Sequence, residues 1–415
     1  MAVAPTQPLR VGLYGFFGMG NLGNEGSLAA VVAHLRAAHP DVQVVCFGAD
    51  AAQVEREHGV PGRQLMAFRA RPGDRRLVTR ARKVLGRLWD VPRTVRMVGQ
   101  VDVLVVPGTG VLESRLMSTP WGLPYWMAIA FTACHLRGRP SALVSVGAEP
   151  ATRAATRLLM RQAVRSATHV TYRDTASAQA ARGMGAAGRP GTVAPDVAFA
   201  LPDPVGVAVR PGHVVVGVMS YSGAADDPGR GPEVAEAYRA RMTEVVTRLL
   251  DGGHTVTFLV GDRADLGLAE TLEHRVREAR PLLGDSLTTS HARDLAGLMT
   301  EMAAAEVVVA TRFHNIICAL KARRPVVSLG YAGKNADLLE RFGLEGFDQP
   351  VDAFDVERVL ADVDRLLATQ DAVTRVIAAA LVDVERDVAA HLTAVSSALL
   401  GSDEGVRPSP SRSLA

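Results

Sequence analysis

Nine short apolar runs punctuate the chain, and stretches of helical periodicity separate them. In the first half they are LRVGLYGF, VQVVCF, VDVLVVPG, SALVSVG and THVTY; in the second, HVVVGVMS, HTVTFLVGD, AEVVVAT and RPVVSLG. The runs are continuous rather than alternating, so each strand expects cover on both faces. A parallel sheet sandwiched by helices provides that cover. Stretches such as SLAAVVAHLRAAH, WMAIAFTACHLRG and ATRLLMRQAVRSA supply the helices. The pattern breaks at LPDPVGVAVRPGH, rich in proline and glycine, and then restarts. The chain therefore reads as α/β, with two Rossmann-like domains facing a central cleft. We place them at residues 1–205 and 206–400, the second closing with a wholly helical region from Asp352 to Leu400. The polar end, 401–415, is expected to be a disordered tail.

Composition narrows the class. At 415 residues the chain has room for two domains, and 48% hydrophobic with 21% charged residues suits sizeable cores. No apolar run approaches the roughly 18 residues of a membrane span. The start, MAVAPTQPLR, lacks the pattern of a signal peptide. Cys46, Cys134 and Cys318 are far apart and odd in number, which argues against a disulfide framework or a zinc site. A reducing cytoplasm is expected. The net charge of +3 does not point to nucleic acid. Lysine is scarce: Lys83, Lys321 and Lys334 are the three lysines, and the other 43 basic residues are arginine. Two of the three lie close in sequence to the most suggestive motif.

That motif is EVVVATRFHN, from Glu306 to Asn315. An apolar strand stops, and Arg312 and His314 follow at once. Ligands of open parallel sheets bind beyond the carboxyl ends of strands. Thr311 is the expected N-cap, which puts Arg312 and His314 in the first helical turn, where backbone N–H groups and the dipole favour an anion. Arg312 adds a planar fork for phosphate or carboxylate, and His314 exchanges protons near neutral pH. The residues alone equally allow a surface ion pair and a packed histidine.

The first strand ends in GFFGMGNLGNEGSLAA. Gly18, Gly20 and Gly23 match G-x-G-x-x-G, but no acidic residue closes the next strand as a nicotinamide site requires. The stretch reads either as a glycine-rich loop facing the cleft, with Asn21, Asn24 and Glu25 as polar contacts, or as a tight turn with no ligand.

With these residues the chain resembles the polysaccharide pyruvyl transferase family. Gly20-Asn21-Leu22-Gly23-Asn24-Glu25 matches its G-N-x-G-D-E motif, and VVPGTGVLES matches a glycine-rich turn after a mid-domain strand. Arg173-Asp174-Thr175-Ala176-Ser177 matches R-D-x-x-S, and Asp196-Val197-Ala198-Phe199 matches D-x-A-F. Arg312-Phe313-His314 and the downstream Lys334 complete the series, in family order, over roughly residues 10–340. Two positions depart: Asn24 replaces the usual Asp, and Glu149 stands where Gly is common.

The resemblance implies a fold similar to two-domain glycosyltransferases of the B type, with the active site between the domains. It implies transfer of the enolpyruvyl carbons of phosphoenolpyruvate onto two hydroxyls of a sugar in a polysaccharide or glycoconjugate, forming a pyruvate ketal. Phosphoenolpyruvate is then the donor, with no cofactor and no metal. His314 and Arg312 become the catalytic pair. Arg173, Lys334, Gly20, Asn21, Gly23 and Asn24 become donor contacts, with Arg312 and Arg173 as two forks from opposing domains. Glu25, Glu113, Asp196 and Asp262 become acceptor contacts, although Asp262 and Asp265 also suit loop caps. A nucleotide-sugar glycosyltransferase on the same architecture and a non-catalytic glycan-binding protein are the alternatives.

Residues 63–96 hold ten arginines and Lys83 against Asp74 and Asp90. Leu77, Ala81, Val84, Leu85 and Leu88 fall at helical spacing, with Trp89 adjacent. Such a helix either packs on the first domain, the favoured reading, or lies on an anionic membrane through residues 74–96 and meets a lipid-linked glycan. The second reading makes the protein peripheral to the inner face of the membrane.

Overall fold

The computed structural model describes residues 8–66, 76–113, 120–186, 191–223, 231–330 and 333–401. The first domain runs β1 (Arg10–Tyr14), α1 (Leu22–Ala38), β2 (Gln43–Gly48), α2 (Ala51–His58), β3 (Gly62–Gln64), α3 (Arg76–Val98), β4 (Val103–Pro107), α4 (Leu123–Leu136), β5 (Ser141–Val146), α5 (Ala154–Ser166), β6 (His169–Tyr172), α6 (Thr175–Ala181) and β7 (Thr192–Val193). The second runs β8 (His213–Val218), α7 (Gly231–Asp251), β9 (Thr255–Val260), α8 (Leu266–Ala279), β10 (Leu287–Thr289), α9 (Leu295–Ala303), β11 (Val307–Ala310), α10 (Phe313–Lys321), β12 (Val326–Gly330), α11 (Lys334–Arg341), β13 (Asp348–Pro350), α12 (Val356–Ala368) and α13 (Gln370–Leu400).

Both sheets are parallel. Their orders are β3-β2-β1-β4-β5-β6-β7 and β10-β9-β8-β11-β12-β13. Each reverses direction between its first strand and the strand that follows the third crossover, which opens a crevice beyond the carboxyl ends of β1 and β4, and of β8 and β11. The valine runs of β8 and β11 are buried at every residue. Aspartates cap several helices by accepting a backbone N–H, as Asp50 does for α2, Asp174 for α6 and Asp294 for α9.

The domains meet through glycines. Gly23 and Gly26 lie three residues apart on one face at the start of α1, and Gly20 precedes its N-cap. A Cβ at Gly23 would overlap the ring of His314, and one at Gly26 would overlap Leu295. Gly20 faces the side chain of Arg263. Backbone pairing continues the contact: Leu22 N–H donates to Gly261 at 3.0 Å and Arg263 N–H to Gly20 at 3.0 Å.

The helical end of the chain is not confined to the second domain. The last turns of α13 return to the first sheet, where Leu392 and Leu399 lie with Val11, Val103 and Val144. His391 bonds Thr171 at 3.1 Å, and Ser396 bonds His34 at 3.1 Å. The last helix, which follows the second sheet in sequence, thus packs against the first sheet. Lys321, one of the three lysines, is buried and ties Asp203 of the linker to Glu385 of α13, so its role is architectural. The tail expected to be disordered lies, apart from Gly401, outside the described residues.

Candidate active site

Arg173 emerges at the carboxyl end of β6, and Glu113 follows the turn after β4. That turn is strained, because Gly108 and Thr109 take φ of +59° and +68°. For a β-branched residue this costs about 1–3 kcal/mol and persists only where surrounding contacts enforce it. Gly147 N–H donates to Thr109 at 2.8 Å, and Glu113 N–H to Gly110 at 3.0 Å. The result folds Glu113 inward. Gly147 leaves room beside it, since a side chain there would strike both Glu113 and Arg173.

The second domain contributes His314 and Lys334 from the first turns of α10 and α11. One oxygen of Glu113 accepts from Arg173, and the other accepts from Lys334 Nζ at 2.8 Å. Arg173 also reaches Asp196 and Asp174, each at 3.5 Å. Its guanidinium lies 4.2 Å from the centre of the Phe313 ring, and Lys334 lies 5.7 Å from the same ring. Cations favour such aromatic faces. Glu149, noted in the sequence only as a departure, stands 3.9 Å from Lys334. Phe313 was not singled out at all, although its place between Arg312 and His314 was the available signal.

His314 Nε2 is buried with no hydrogen-bond partner; the nearest carboxylate oxygen, on Asp196, is 3.7 Å away. Burial pushes the imidazole pKa down to about 4; Asp196 opposes the shift, while Arg173 and Lys334 add to it. His314 is therefore neutral at pH 7. Burial alone would raise the Glu113 pKa, but the charges of Lys334 and Arg173 outweigh it and hold the carboxyl at about 2. Beside the cluster a cavity of about 500 Å³ is lined by Arg173, Asp174 and Asp196 on one side and by Phe313, Lys334 and Asp337 on the other. That volume suits a small organic ligand.

The cluster thus unites Arg173, His314, Lys334, Glu113 and Asp196 from the sequence reading. Other expected residues lie elsewhere. Arg312 makes a two-point ion pair with the fully buried Asp265 and sits 3.6 Å from Asp262, whereas Arg173 pairs with Glu113. Arg312, not Thr311, is the N-cap of α10; the Thr311 hydroxyl instead pairs with Tyr238 at 3.2 Å.

The glycine-rich loop takes part in the contact between the domains. Asn21 caps α1 by accepting from Asn24 N–H at 3.0 Å, and its amide donates to Asp262 at 2.8 Å. Asp262 also caps the next turn through Ala264 N–H, so the loop-cap reading holds. Glu25 accepts from Gly18 N–H at 2.7 Å and meets His58 at 3.0 Å, which braces the loop. Glu25, Glu57 and His58 form one group with metal-ligand atoms, which the sequence reading did not foresee. Glu57 there pairs with Arg263 at 3.0 Å, and a guanidinium competes with any cation.

A family profile described as polysaccharide pyruvyl transferase matches residues 21–333. The chain belongs to that family. No curated protein sequence matches it significantly. Solved structures share its fold at low identity. A UDP-GlcNAc 2-epimerase from Neisseria meningitidis, bound to UDP-GlcNAc, has a TM-score of 0.59 at 8% identity, covering 95% of this chain and 100% of that one. HepE from Anabaena, in complex with UDP and glucose, has a TM-score of 0.59 at 14% identity, covering 95% and 100%. A glycosyltransferase from Rickettsia africae has a TM-score of 0.57 at 10% identity, covering 96% and 100%. These likenesses establish the B-type glycosyltransferase-like architecture of this pyruvyl transferase family member.

Proposed function

We propose that the protein transfers the enolpyruvyl carbons of phosphoenolpyruvate to two hydroxyls of a saccharide, closing a pyruvate ketal. The observation that carries this reading is the open Nε2 of His314, buried beside Arg173 and Lys334 where the two domains meet. The donor has two anionic groups and needs two cations; Arg173 and Lys334 come from opposite domains and flank one cavity. Donor binding then displaces Glu113 from one or both of them.

The chemistry balances with these groups. The negative charge of the donor raises the proton affinity of His314, so the donor-bound enzyme holds the acid form. His314 gives that proton to C3, and C2 becomes electrophilic. A sugar hydroxyl adds to C2 and gives up its proton. The C2–O bond to phosphate then breaks, phosphate leaves with the electron pair, and the second hydroxyl closes the ring and loses its proton. Lys334 offsets charge as it gathers on the departing phosphate. Glu113 and Asp196 are carboxylates of the cluster that can take up hydroxyl protons. Glu113 becomes more basic once the donor draws its cations away, because burial then dominates. The proposed reaction calls for no cofactor.

Thermal-shift titration with phosphoenolpyruvate against a panel of nucleotide sugars tests the donor, and phosphate release with candidate glycans tests the reaction. Stabilisation by a nucleotide sugar and not by phosphoenolpyruvate overturns the reading in favour of glycosyl transfer.

A further inference from the structure

We propose that the first domain docks on an anionic lipid bilayer through α3. This helix has one face buried against its own domain and a second, apolar face turned away from it, and a helix that only packs needs the first alone. Asp90, Thr94, Met97 and Val98 are buried on the inner face. On the opposite face, Leu85, Leu88 and Trp89 are 65%, 67% and 67% exposed. Their i, i+3, i+4 spacing places the three on one side of the helix. The sequence alone left packing and membrane contact open and favoured packing. The structure meets the packing requirement with other residues and leaves this stripe outside.

A second indole stands nearby. Trp121, 55% exposed, packs edge-on against Tyr125 at 5.8 Å, and the Tyr125 hydroxyl donates to the α3 backbone at Arg87 at 3.0 Å. Indole rings partition to the headgroup level of bilayers.

Charge selects the occupant. From Arg76 to Val98 the helix sequence carries Arg76, Arg80, Arg82, Lys83, Arg87, Arg93 and Arg96; Arg87 and Arg93 turn to their own domain, over the Trp126 ring and to the Gln64 carbonyl, and Arg96 is exposed. Its one acid, Asp90, is buried and satisfied by Trp126 Nε1 at 2.8 Å and Arg87 at 3.3 Å. A basic helix with exposed leucine and tryptophan is complementary to anionic headgroups above acyl chains. Among the described residues no helix is long and apolar enough to cross a membrane, so the contact is a surface one.

Helices in these domains run antiparallel to their strands, so the N-terminal end of α3 lies toward the carboxyl ends of the sheet, where the cleft opens. Docking brings the cleft near the bilayer. The inference stands on α3 and not on the reaction proposed above; joined to it, the acceptor is a glycan carried on a lipid.

The test is flotation of the full chain with vesicles of phosphatidylcholine alone and of phosphatidylcholine mixed with phosphatidylglycerol. The protein should float with the mixed vesicles, and binding should fall by about tenfold or more when salt is raised enough to screen exposed charge. Replacing Leu88 and Trp89 together by serine should lower binding by a similar factor, with the melting profile retained because both side chains are exposed. Equal flotation on neutral and anionic vesicles, or binding unchanged by the double substitution, overturns the proposal. So does a dimer in sedimentation that the same substitution converts to monomer, which would assign the face to a second copy of the chain.

Discussion

Glu113 and Lys334 belong to different domains, yet their charged atoms meet at 2.8 Å inside the protein. Arg173 closes on the same carboxylate from the other side. One glutamate therefore neutralises a cation from each domain. Removing one member of a buried pair leaves the other charges uncompensated and costs about 3–5 kcal/mol. Glu113→Gln should lower the unfolding free energy by about that amount in denaturant titration. A loss within experimental error of zero would show that solvent reaches the pair and that the domains are not joined there.

Acid should weaken the fold in two stages. The folded-state pKa of His314, about 4, lies below its ordinary 6.5, so as pH falls through that window the unfolded chain takes up a proton that the folded one refuses. Stability is lost there. Glu113, at about 2 against an ordinary 4.5, contributes stability above pH 4.5 that disappears as pH falls toward 2. Denaturant midpoints measured from pH 7 to 3 should decline throughout, and His314→Gln should flatten the upper part of the curve alone.

His314→Gln should abolish turnover while phosphoenolpyruvate binding, followed by calorimetry, changes by less than about tenfold. A general acid acts in the transition state and contributes little to ground-state affinity. In heavy water, deuterium should appear in the ketal methyl group. Histidine resonances in a labelled sample should place the His314 pKa higher with donor than without it. Near-normal turnover of the variant would remove His314 from the mechanism.

Gly23→Ala is the sharpest steric probe of the site. The new methyl group meets the His314 ring, so the ring must move. Misplacement of a catalytic group by about 1 Å costs about 10²-fold in rate, and a loss of that size is expected in kcat with the fold retained. An unchanged kcat would mean that the α1–α10 contact yields at no cost to the chemistry.

Arg312→Ala should act on stability first. Asp265 is fully buried, and Arg312 holds it with two nitrogens. Its loss should destabilise the chain by about 3 kcal/mol, and Asp265→Asn in the same chain should restore part of that. If the double variant is stable but binds phosphoenolpyruvate weakly, Arg312 also serves the donor. If affinity is normal, its role is to hold the second domain's loops.

The long strands were legible because continuous valine-rich runs have few other destinations. β3, β7, β10 and β13 were not, being edge strands of three, two, three and three residues whose hydrogen bonds come from a neighbour and not from any pattern of their own. His314, Arg173 and Lys334 could be picked out by their place at strand ends. What could not be read was which carboxylate each cation would choose. Asp265 lies 47 residues from Arg312, and Glu113 lies 221 from Lys334. The first pairing depends on which strand ends lie near one another in a single sheet and the second on how two domains meet, and no local spacing encodes either. The glycines of the loop do not by themselves tell the two roles apart, because close approach by another domain demands the same residue as close approach by a ligand.

The return of α13 to the first sheet has a consequence for biosynthesis. Val11, Val103 and Val144 are among the early residues to leave the ribosome, but Leu392 and Leu399, which lie with them, are among the last. At about 5–20 residues per second, the first domain waits roughly 10–40 s with part of its sheet uncovered while the second is made. Nascent chains should bind holdase chaperones until the C-terminal helix emerges. A stop codon that removes only the final turns of that helix should send the product to inclusion bodies, although every residue of the cleft cluster is still present.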